Sequence, residues 1–479
     1  MTIPMEGIDR VALLAALEGF KENDLAWRSG KVLAYTYGLE EEAEEVAKNA
    51  YMMYLGENGL DPTTFPSMHQ IETRITHTLR DLLRGDEAVV GNCTFGGTES
   101  IMCAIKAARD WARVHKPHIT EPEIIVPRTA HPAHHKAGVY LGLKVVISPI
   151  NPVSFQADVD GMRNLITPNT ILLAGSAPGY AQGVVDPIPE IAALAQEHGL
   201  LCHVDACVGG IHLSFHRRMG AVDYPDFDFS VPGVTSISVD MHKYGYAPKN
   251  ISTVLYRDKD LRRHQYYACR KTTTYALINA TILSTKSGGP LAGAWAVLNY
   301  LGEGGYRQIV QSVNDCTWRM VDGINAIPGL RVLGKPDMCM FSFTADDFNI
   351  FQLADEMRDR GWYLQPQFST DQSPPNLHVT VTRSSIPHVE ELLKDLAAGV
   401  EAVRNHPEPI DRAAVQAQVQ TMLATMEGGP EAVAQLAAVA GLQGTDLPQH
   451  MALINTVMDA LPDELAEMIL IEFMNDLYV

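Results

Sequence analysis

Short apolar runs and longer amphipathic stretches alternate along most of this chain. From about residue 88, β-branched and apolar runs at 123–126, 144–148, 170–174, 200–205, 236–240 and 252–256 read as buried strands. Helical patterning lies between them, from Gly97 to about 114 and over 187–199. Such alternation predicts a mostly parallel sheet covered by helices. Gly288-Gly289-Pro290 then opens helices at 291–301 and 306–327. After Pro328-Gly329, strands at 331–333, 338–344 and 377–381 with helices at 351–360 and 386–404 predict a second, smaller α/β unit.

The two ends differ from this middle. Helices are expected at 40–55 and 69–83, separated by the breaker Asn58-Gly59-Leu60-Asp61-Pro62, and no strand pattern precedes residue 70. An arm of this kind is expected to pack on something else, a second subunit foremost. At the other end, Val415, Val419, Met422, Leu423 and Met426 form an apolar helical stripe suited to core packing, ended by Gly428-Gly429-Pro430. The expected division is a helical arm (1–70), a large domain (71–305), a small α/β domain (306–405) and a helical tail (406–479).

Charge narrows the function classes. A formal charge of −20 over 479 residues disfavours a general binder of nucleic acid or anionic membrane, without excluding a small phosphorylated substrate. Seven cysteines, an odd number without framework spacing, are expected as buried free thiols in a reducing compartment. With no signal-like N-terminus and no run near the ~18 apolar residues of a membrane span, a soluble, cytoplasmic protein without a transmembrane segment is expected.

Candidate chemistry gathers at strand ends. Lys243 follows the strand 236–240, at the edge where open α/β sheets place their ligand crevice. A lysine in a partly dry crevice is expected to have a lowered pKa and to serve as an amine nucleophile; a surface loop lysine is the plainer reading. Asp205 ends the apolar run Leu200-Leu201-Cys202-His203-Val204, either as an N-cap or as the partner of a protonated ring nitrogen. Gly96-Gly97-Thr98 opens a helix, either as an ordinary start or as a phosphate cradle. His131, His134 and His135 lie close in sequence but lack a carboxylate or cysteine at ligand spacing, so no metal is expected.

Taken in order, these segments resemble the sphingosine-1-phosphate lyases, which belong with the group II pyridoxal phosphate-dependent decarboxylases. The similar stretches are Gly96-Gly97-Thr98-Glu99-Ser100, Glu121-Pro122-Glu123-Ile124-Ile125-Val126-Pro127, His203-Val204-Asp205-Ala206-Cys207, Gly233-Val234-Thr235-Ser236-Ile237-Ser238 and His242-Lys243-Tyr244-Gly245-Tyr246-Ala247-Pro248-Lys249. They span most of residues 20–405, and the chain end Phe473-Met474-Asn475-Asp476-Leu477-Tyr478 is similar too. The resemblance implies a fold-type-I enzyme with pyridoxal 5'-phosphate carried by Lys243. It implies that Asp205 pairs the ring nitrogen, His131 stacks on the ring, and Gly97, Thr98 and His242 attend the phosphate. It further implies that Thr285 and Gly288 reach the phosphate of a partner subunit in a homodimer, and that Lys249 is linked to activity.

The implied reaction is retro-aldol cleavage of a phosphorylated long-chain base or another 3-hydroxy amine. An amino-acid decarboxylase of the glutamate decarboxylase kind is the alternative, since those enzymes share His-Lys-Tyr-Gly. Departures fall where a substrate would be chosen. Phe95 stands for the family's Ser and Asp61 for a His. His134-His135 replaces Phe-Asp, and Leu277 stands for a Tyr. Ser284-Thr285-Lys286-Ser287-Gly288 replaces Gly-Ser-Arg-Pro-Gly, with Lys286 expected to keep the positive charge.

Overall fold

The computed structural model describes residues 3–220, 222–273, 275–425 and 448–478. Helices α1 (Arg10–Gly19), α2 (Glu41–Met53) and α3 (Pro66–Leu82) lead into a central sheet. Its strands are β1 (Val90–Thr94), β2 (Glu123–Pro127), β3 (Lys144–Ser148), β4 (Thr170–Ser176), β5 (Leu201–Asp205), β6 (Ser236–Asp240) and β7 (Ser252–Tyr256), in the order β1-β7-β6-β5-β4-β2-β3. Strands β6, β5, β4, β2 and β3 pair in parallel, while β7 runs antiparallel to both β6 and β1. Strands β2, β4, β5, β6 and β7 are buried along their whole length, which is why they read as continuous apolar runs.

Helices α4 (Gly97–His115), α5 (Ala133–Leu141), α6 (Val159–Leu165), α7 (Ile188–Glu197), α8 (Gly209–Arg218) and the short α9 (Lys259–Arg262) connect the strands. A two-stranded hairpin, β8 (Tyr267–Cys269) with β9 (Leu277–Asn279), leads to a strap at 280–287. Helix α10 then runs Gly288–Asn325 and is broken in backbone geometry at Gly302 (φ 56°, ψ −176°), which separates the two helices expected there. The smaller sheet is antiparallel, β10 (Leu330–Val332), β11 (Met340–Ala345), β13 (Asn376–Thr380) and β12 (Gln365–Gln367) in that order, backed by α11 (Ile350–Asp359) and α12 (Val389–Arg404).

Part of the arm is seated on its own chain. Helix α2 buries Ala43 and Ala47 and packs along α10 of the same chain, where Gly288 lets the backbones approach, since a Cβ there would lie 2.7 Å from Tyr54 O. In contrast, α1 buries none of its residues. In the tail, Val419 of the helix Arg412–Thr425 packs with Ile454, Val457 and Met458 of Ala452–Ala460, as the apolar stripe predicts. The expected stop at Gly428–Pro430 and Met426 lie outside the described residues. The cysteines carry no disulfide, and all but the half-buried Cys269 are buried.

Candidate active site

The carboxyl ends of β4, β5 and β6 and the start of α4 enclose a cavity of about 540 Å³. It falls where ligand crevices of open α/β sheets lie, and its size suits a cofactor-sized ligand. Gly97, Thr98, His131, Asp205, His242 and Lys243 all line it. One cavity thus gathers residues more than a hundred positions apart in sequence.

Lys243 does not behave as the bare crevice argument expects. Its Nζ lies 2.9 Å from Asp240 Oδ2. Burial opposes its charge, but Asp240, with Cys207, Tyr37 and Asp205 around it, outweighs burial and holds the ammonium above its ordinary range. The expected lowering is therefore reversed by a neighbouring carboxylate. Beside it, His242 donates from Nδ1 to Ile251 O at 2.8 Å, leaving Nε2 as the open nitrogen, 3.7 Å from Asp240 Oδ2. Burial keeps that imidazole below its usual range.

The loop after Lys243 is tied down by aromatic hydroxyls. Tyr244 Oη reaches Cys339 O at 2.9 Å and Val381 O at 3.0 Å, both in the small domain. From α10, Tyr306 Oη donates to Gly245 O at 2.8 Å. The lysine loop is thus anchored to the small domain at two successive residues, Tyr244 and Gly245.

Asp205 is buried at the end of β5, where its Oδ1 accepts from the Cys207 amide at 3.1 Å and the Ser238 hydroxyl at 3.3 Å. Burial pushes its carboxyl up, but the neighbouring His134 and His131 rings outweigh it and bring the group down to about 2. It therefore remains an anion. His131 accepts the Ala133 amide on Nδ1 at 3.1 Å, so its neutral tautomer carries the proton on Nε2. Desolvation holds that imidazole below its ordinary range.

Whether pyridoxal phosphate fits can be judged from this lining. Helix α4 starts at Gly96 (φ +142°) without a side-chain cap, so its first amides are available to an anion. A Cβ on Gly97 would lie 2.7 Å from Asp240 Oδ2 and 2.8 Å from Cys207 Sγ, so the loop must be bare to lie this close to the floor. The buried Asp240 Oδ1 has no hydrogen-bond partner among the described residues. A primary amine, a buried anion and an uncapped helix start around one cavity are the donor set that the group requires. The residues fit it.

Other expected residues lie elsewhere. Lys249 is exposed, its Nζ 3.3 Å from Tyr35 O and 5.0 Å from the centre of the Tyr37 ring, and it does not line the cavity. Thr285 and Gly288 also lie outside this chain's cavity; Thr285 is exposed and Gly288 is buried against Tyr54 and Glu57. Lys286 does not keep a charge available for a ligand. Its Nζ is turned inward to Glu72 Oε1 at 2.6 Å. Of the departures from the family pattern, Phe95 lines the cavity, whereas Asp61 caps Thr63 at the surface and Leu277 sits in β9. His134 is fully buried beside His203, with ring centres 6.2 Å apart, and His135 is exposed, so the three histidines do not converge.

Sequence reasoning gave no role to Asp240, Tyr180 or Glu99, all of which line the cavity. Only Asp240 had a readable signal, a carboxylate closing a buried strand three residues before the lysine.

Comparison with known proteins agrees with this geometry. Residues 35–345 match the pyridoxal-dependent decarboxylase conserved domain, and residues 413–476 match the pyridoxal-dependent enzyme C-terminal putative HTH domain. The chain is 39% identical to the sphingosine-1-phosphate lyase of Arabidopsis thaliana, over 85% of this chain and 75% of that one. It is 33% identical to a probable L-aspartate decarboxylase of Pyrococcus furiosus, over 76% of this chain and 94% of that one. Among solved structures, a sphingosine-1-phosphate lyase from Burkholderia pseudomallei superposes with a TM-score of 0.80 at 35% identity, covering 90% of this chain and 98% of its own.

Proposed function

Because the chain belongs to the pyridoxal-dependent decarboxylase family, we propose that this pyridoxal phosphate-dependent lyase cleaves the carbon–carbon bond of a phosphorylated long-chain base or a similar 3-hydroxy amine. The observation that carries the reading is the convergence of Lys243, Asp205, His131 and the uncapped start of α4 on one cavity, in a chain 35–39% identical to proteins named as sphingosine-1-phosphate lyases. Amino-acid decarboxylation is the second reading, favoured by the likeness to the probable L-aspartate decarboxylase.

Pyridoxal phosphate, when bound, supplies an electron sink for the pair left at the substrate's amine-bearing carbon. The chain supplies the rest. Lys243 Nζ must shed a proton to act as a nucleophile, and Asp240 Oδ2 at 2.9 Å is placed to hold that proton. Asp205, kept anionic, would hold the ring proton of the bound group. His131 presents a neutral ring with Nε2–H, and the Gly97 and Thr98 amides receive the phosphate. In the overall cleavage the bond between the amine carbon and the hydroxyl carbon breaks, the hydroxyl proton passes to a base, and an aldehyde leaves. The amine carbon then takes a proton. Phe95, Met102, Ile282 and Leu283 form an apolar lip over this polar floor, suited to the alkyl part of such a substrate.

The working unit is read as a homodimer, with Thr285 and Gly288 serving the partner's phosphate. Support comes from the exposed crown of the strap and from an apolar cleft of about 610 Å³ lined by Met53, Ile71, Trp295 and Ala296. A role in nucleic-acid binding is disfavoured even for the tail. Residues 413–476 contain no Lys or Arg and carry Asp459, Asp463, Glu464, Glu467, Glu472 and Asp476, the opposite of what a phosphate backbone attracts. Location in the cytoplasm is the reading that free cysteines without framework spacing support.

Product analysis of the cofactor-loaded protein tests the reaction. A long-chain aldehyde with phosphoethanolamine from a phosphorylated sphingoid base supports the lyase. Carbon dioxide and an amine from an amino acid, with no aldehyde, overturn it.

A further inference from the structure

The strap that supplies Ile282 and Leu283 to the cavity is held in an unusual way. Residues 282–285 are exposed, yet Thr281 before them and Lys286 after them are buried. Each foot is fixed. On the first, Asn279 Nδ2 donates to Leu283 O at 2.8 Å and Ser284 O at 2.7 Å, while its Oδ1 accepts from Thr281 N and Oγ1. On the second, Lys286 is paired with Glu72, and Gly59 N donates to Lys286 O at 2.8 Å.

Between the feet, one carboxylate joins the strap to the loop that opens α4. Glu99 is buried in the first turn of α4, next to Thr98. Its Oε1 accepts the amides of Ile282 at 2.8 Å and Leu283 at 3.0 Å. Its Oε2 accepts the Phe95 amide at 2.7 Å. A plain helix-start acid would satisfy its own helix amides. Glu99 instead spends both oxygens outside its helix, one on each side of the cavity mouth. Charge-assisted hydrogen bonds of this kind are short and directional, so displacement of either side is transmitted through a single rigid group.

We propose that Glu99 is a positioning residue that couples the phosphate-binding loop 95–98 to the substrate lip 282–283, so that filling the loop orders the lip. The inference rests on the reading that this cavity holds pyridoxal phosphate. Substrate that presses on Ile282 and Leu283 then meets a surface already set by the cofactor, and cofactor retention in turn depends on the lip.

The test is hydrogen–deuterium exchange of the full chain, with and without pyridoxal phosphate, in wild type, Glu99→Gln and Asn279→Ala. In wild type, cofactor is expected to slow exchange of the 280–285 amides at least ten-fold. Glu99→Gln presents an NH₂ where one set of amides now donates, so cofactor should still bind but no longer protect the strap. Cofactor affinity, read by absorbance titration, should fall about ten-fold, the worth of one lost charge-assisted bond. Asn279→Ala loosens the strap without touching the loop. It should raise exchange at 280–285 while leaving the cofactor's response partly intact. Protection that persists in Glu99→Gln overturns the proposal, as does an Asn279→Ala strap that exchanges like wild type. Should Glu99→Gln fail to fold, Glu99→Asp, whose shorter side chain cannot reach Phe95 and the 282–283 amides together, carries the same decision. Failure of wild type to take up pyridoxal phosphate would overturn the cofactor reading instead. In that case strap exchange in cofactor-free Glu99→Gln against wild type still decides whether the clamp exists.

Discussion

Asp240 Oδ2 lies 2.9 Å from Lys243 Nζ while Asp240 Oδ1 has no hydrogen-bond partner among the described residues, so one buried carboxylate both charges the lysine and retains unused capacity. This pair sets the pH at which the amine becomes reactive. Asp240→Asn removes the charge that holds the ammonium, and burial alone then lowers the lysine. The midpoint of cofactor incorporation should shift down by about one pH unit or more. Absorbance titration of apoprotein with pyridoxal phosphate between pH 8 and about 11 reads it, the ordinary lysine lying at about 10.4; an unmoved midpoint would show that Asp240 does not govern Lys243. In Lys243→Ala the absorbance of the lysine-bound cofactor should vanish altogether.

Gly97→Ala tests the cradle. The added methyl would lie 2.7 Å from Asp240 Oδ2, closer than real contacts allow. Cofactor affinity is expected to fall at least about ten-fold, the equivalent of one displaced hydrogen bond, with the far-ultraviolet spectrum unchanged. Wild-type affinity would mean that the loop does not approach the floor as described.

Glu72 and Lys286 form a buried pair with side chains 17% and 10% exposed, and Glu72 also accepts the Cys93 amide. Glu72→Gln leaves an ammonium buried without its counter-ion, a loss of about 3–5 kcal/mol. The double change Glu72→Gln with Lys286→Met should recover most of it. Urea denaturation measures both, and a double variant no more stable than the single one would refute the pairing.

Acid stability follows from three neutral histidines. Burial pushes His203 and His212 down to about 3 and His378 down to about 4. In the unfolded chain they protonate near pH 6.5. Their contribution is complete above that pH and is lost as pH falls toward the folded values, because only the unfolded state takes up the protons. Burial raises Asp186 and Asp337 to about 6, which works the other way between pH 6 and about 4 and offsets two of the three. The net slope in that window is on the order of 1.4 kcal/mol per pH unit for each proton not offset. Denaturation at pH 7, 5 and 4 checks it; stability that grows on acidification would contradict the assignment.

Phe95→Ser enlarges the cavity where a family position is altered, while Leu277→Tyr changes a residue outside this chain's cavity. Turnover of a phosphorylated sphingoid base should respond to the first change alone when the two are assayed separately. An equal response to Leu277→Tyr would place that position in a partner's site.

The strands most plainly written in the sequence were β2, β4, β5, β6 and β7, buried along their whole length, and the partly exposed edge strand β3, whose Val145-Val146-Ile147 run is continuous. Strand β1 escaped notice because Gly91 and Asn92 interrupt its apolar run, and β12 because Gln-Pro-Gln carries no strand pattern. The site was legible where chemistry is concentrated in rare residue types, as at Lys243 and Asp205. It was illegible where an ordinary residue acquires its role from a distant partner. Glu99 reads as a common first-turn acid, and its link to residues 282 and 283 exists only in three dimensions. Lys286 misled for the same reason: its charge is plain in the sequence, but the buried Glu72 that claims it lies 214 positions away.

Helix α10 begins at the foot of the strap and ends among the small-domain elements, and Gly302 interrupts it with a backbone geometry that only glycine tolerates. The two lobes are therefore joined like a rod with a single elbow. The lip of the cavity rides on one segment and the small sheet on the other, while Tyr244 latches the lysine loop to the far lobe. The bend that turns one rod into two thus rests on a residue without a side chain, at a place where no neighbouring atom of the described residues lies within 4 Å of where one would begin.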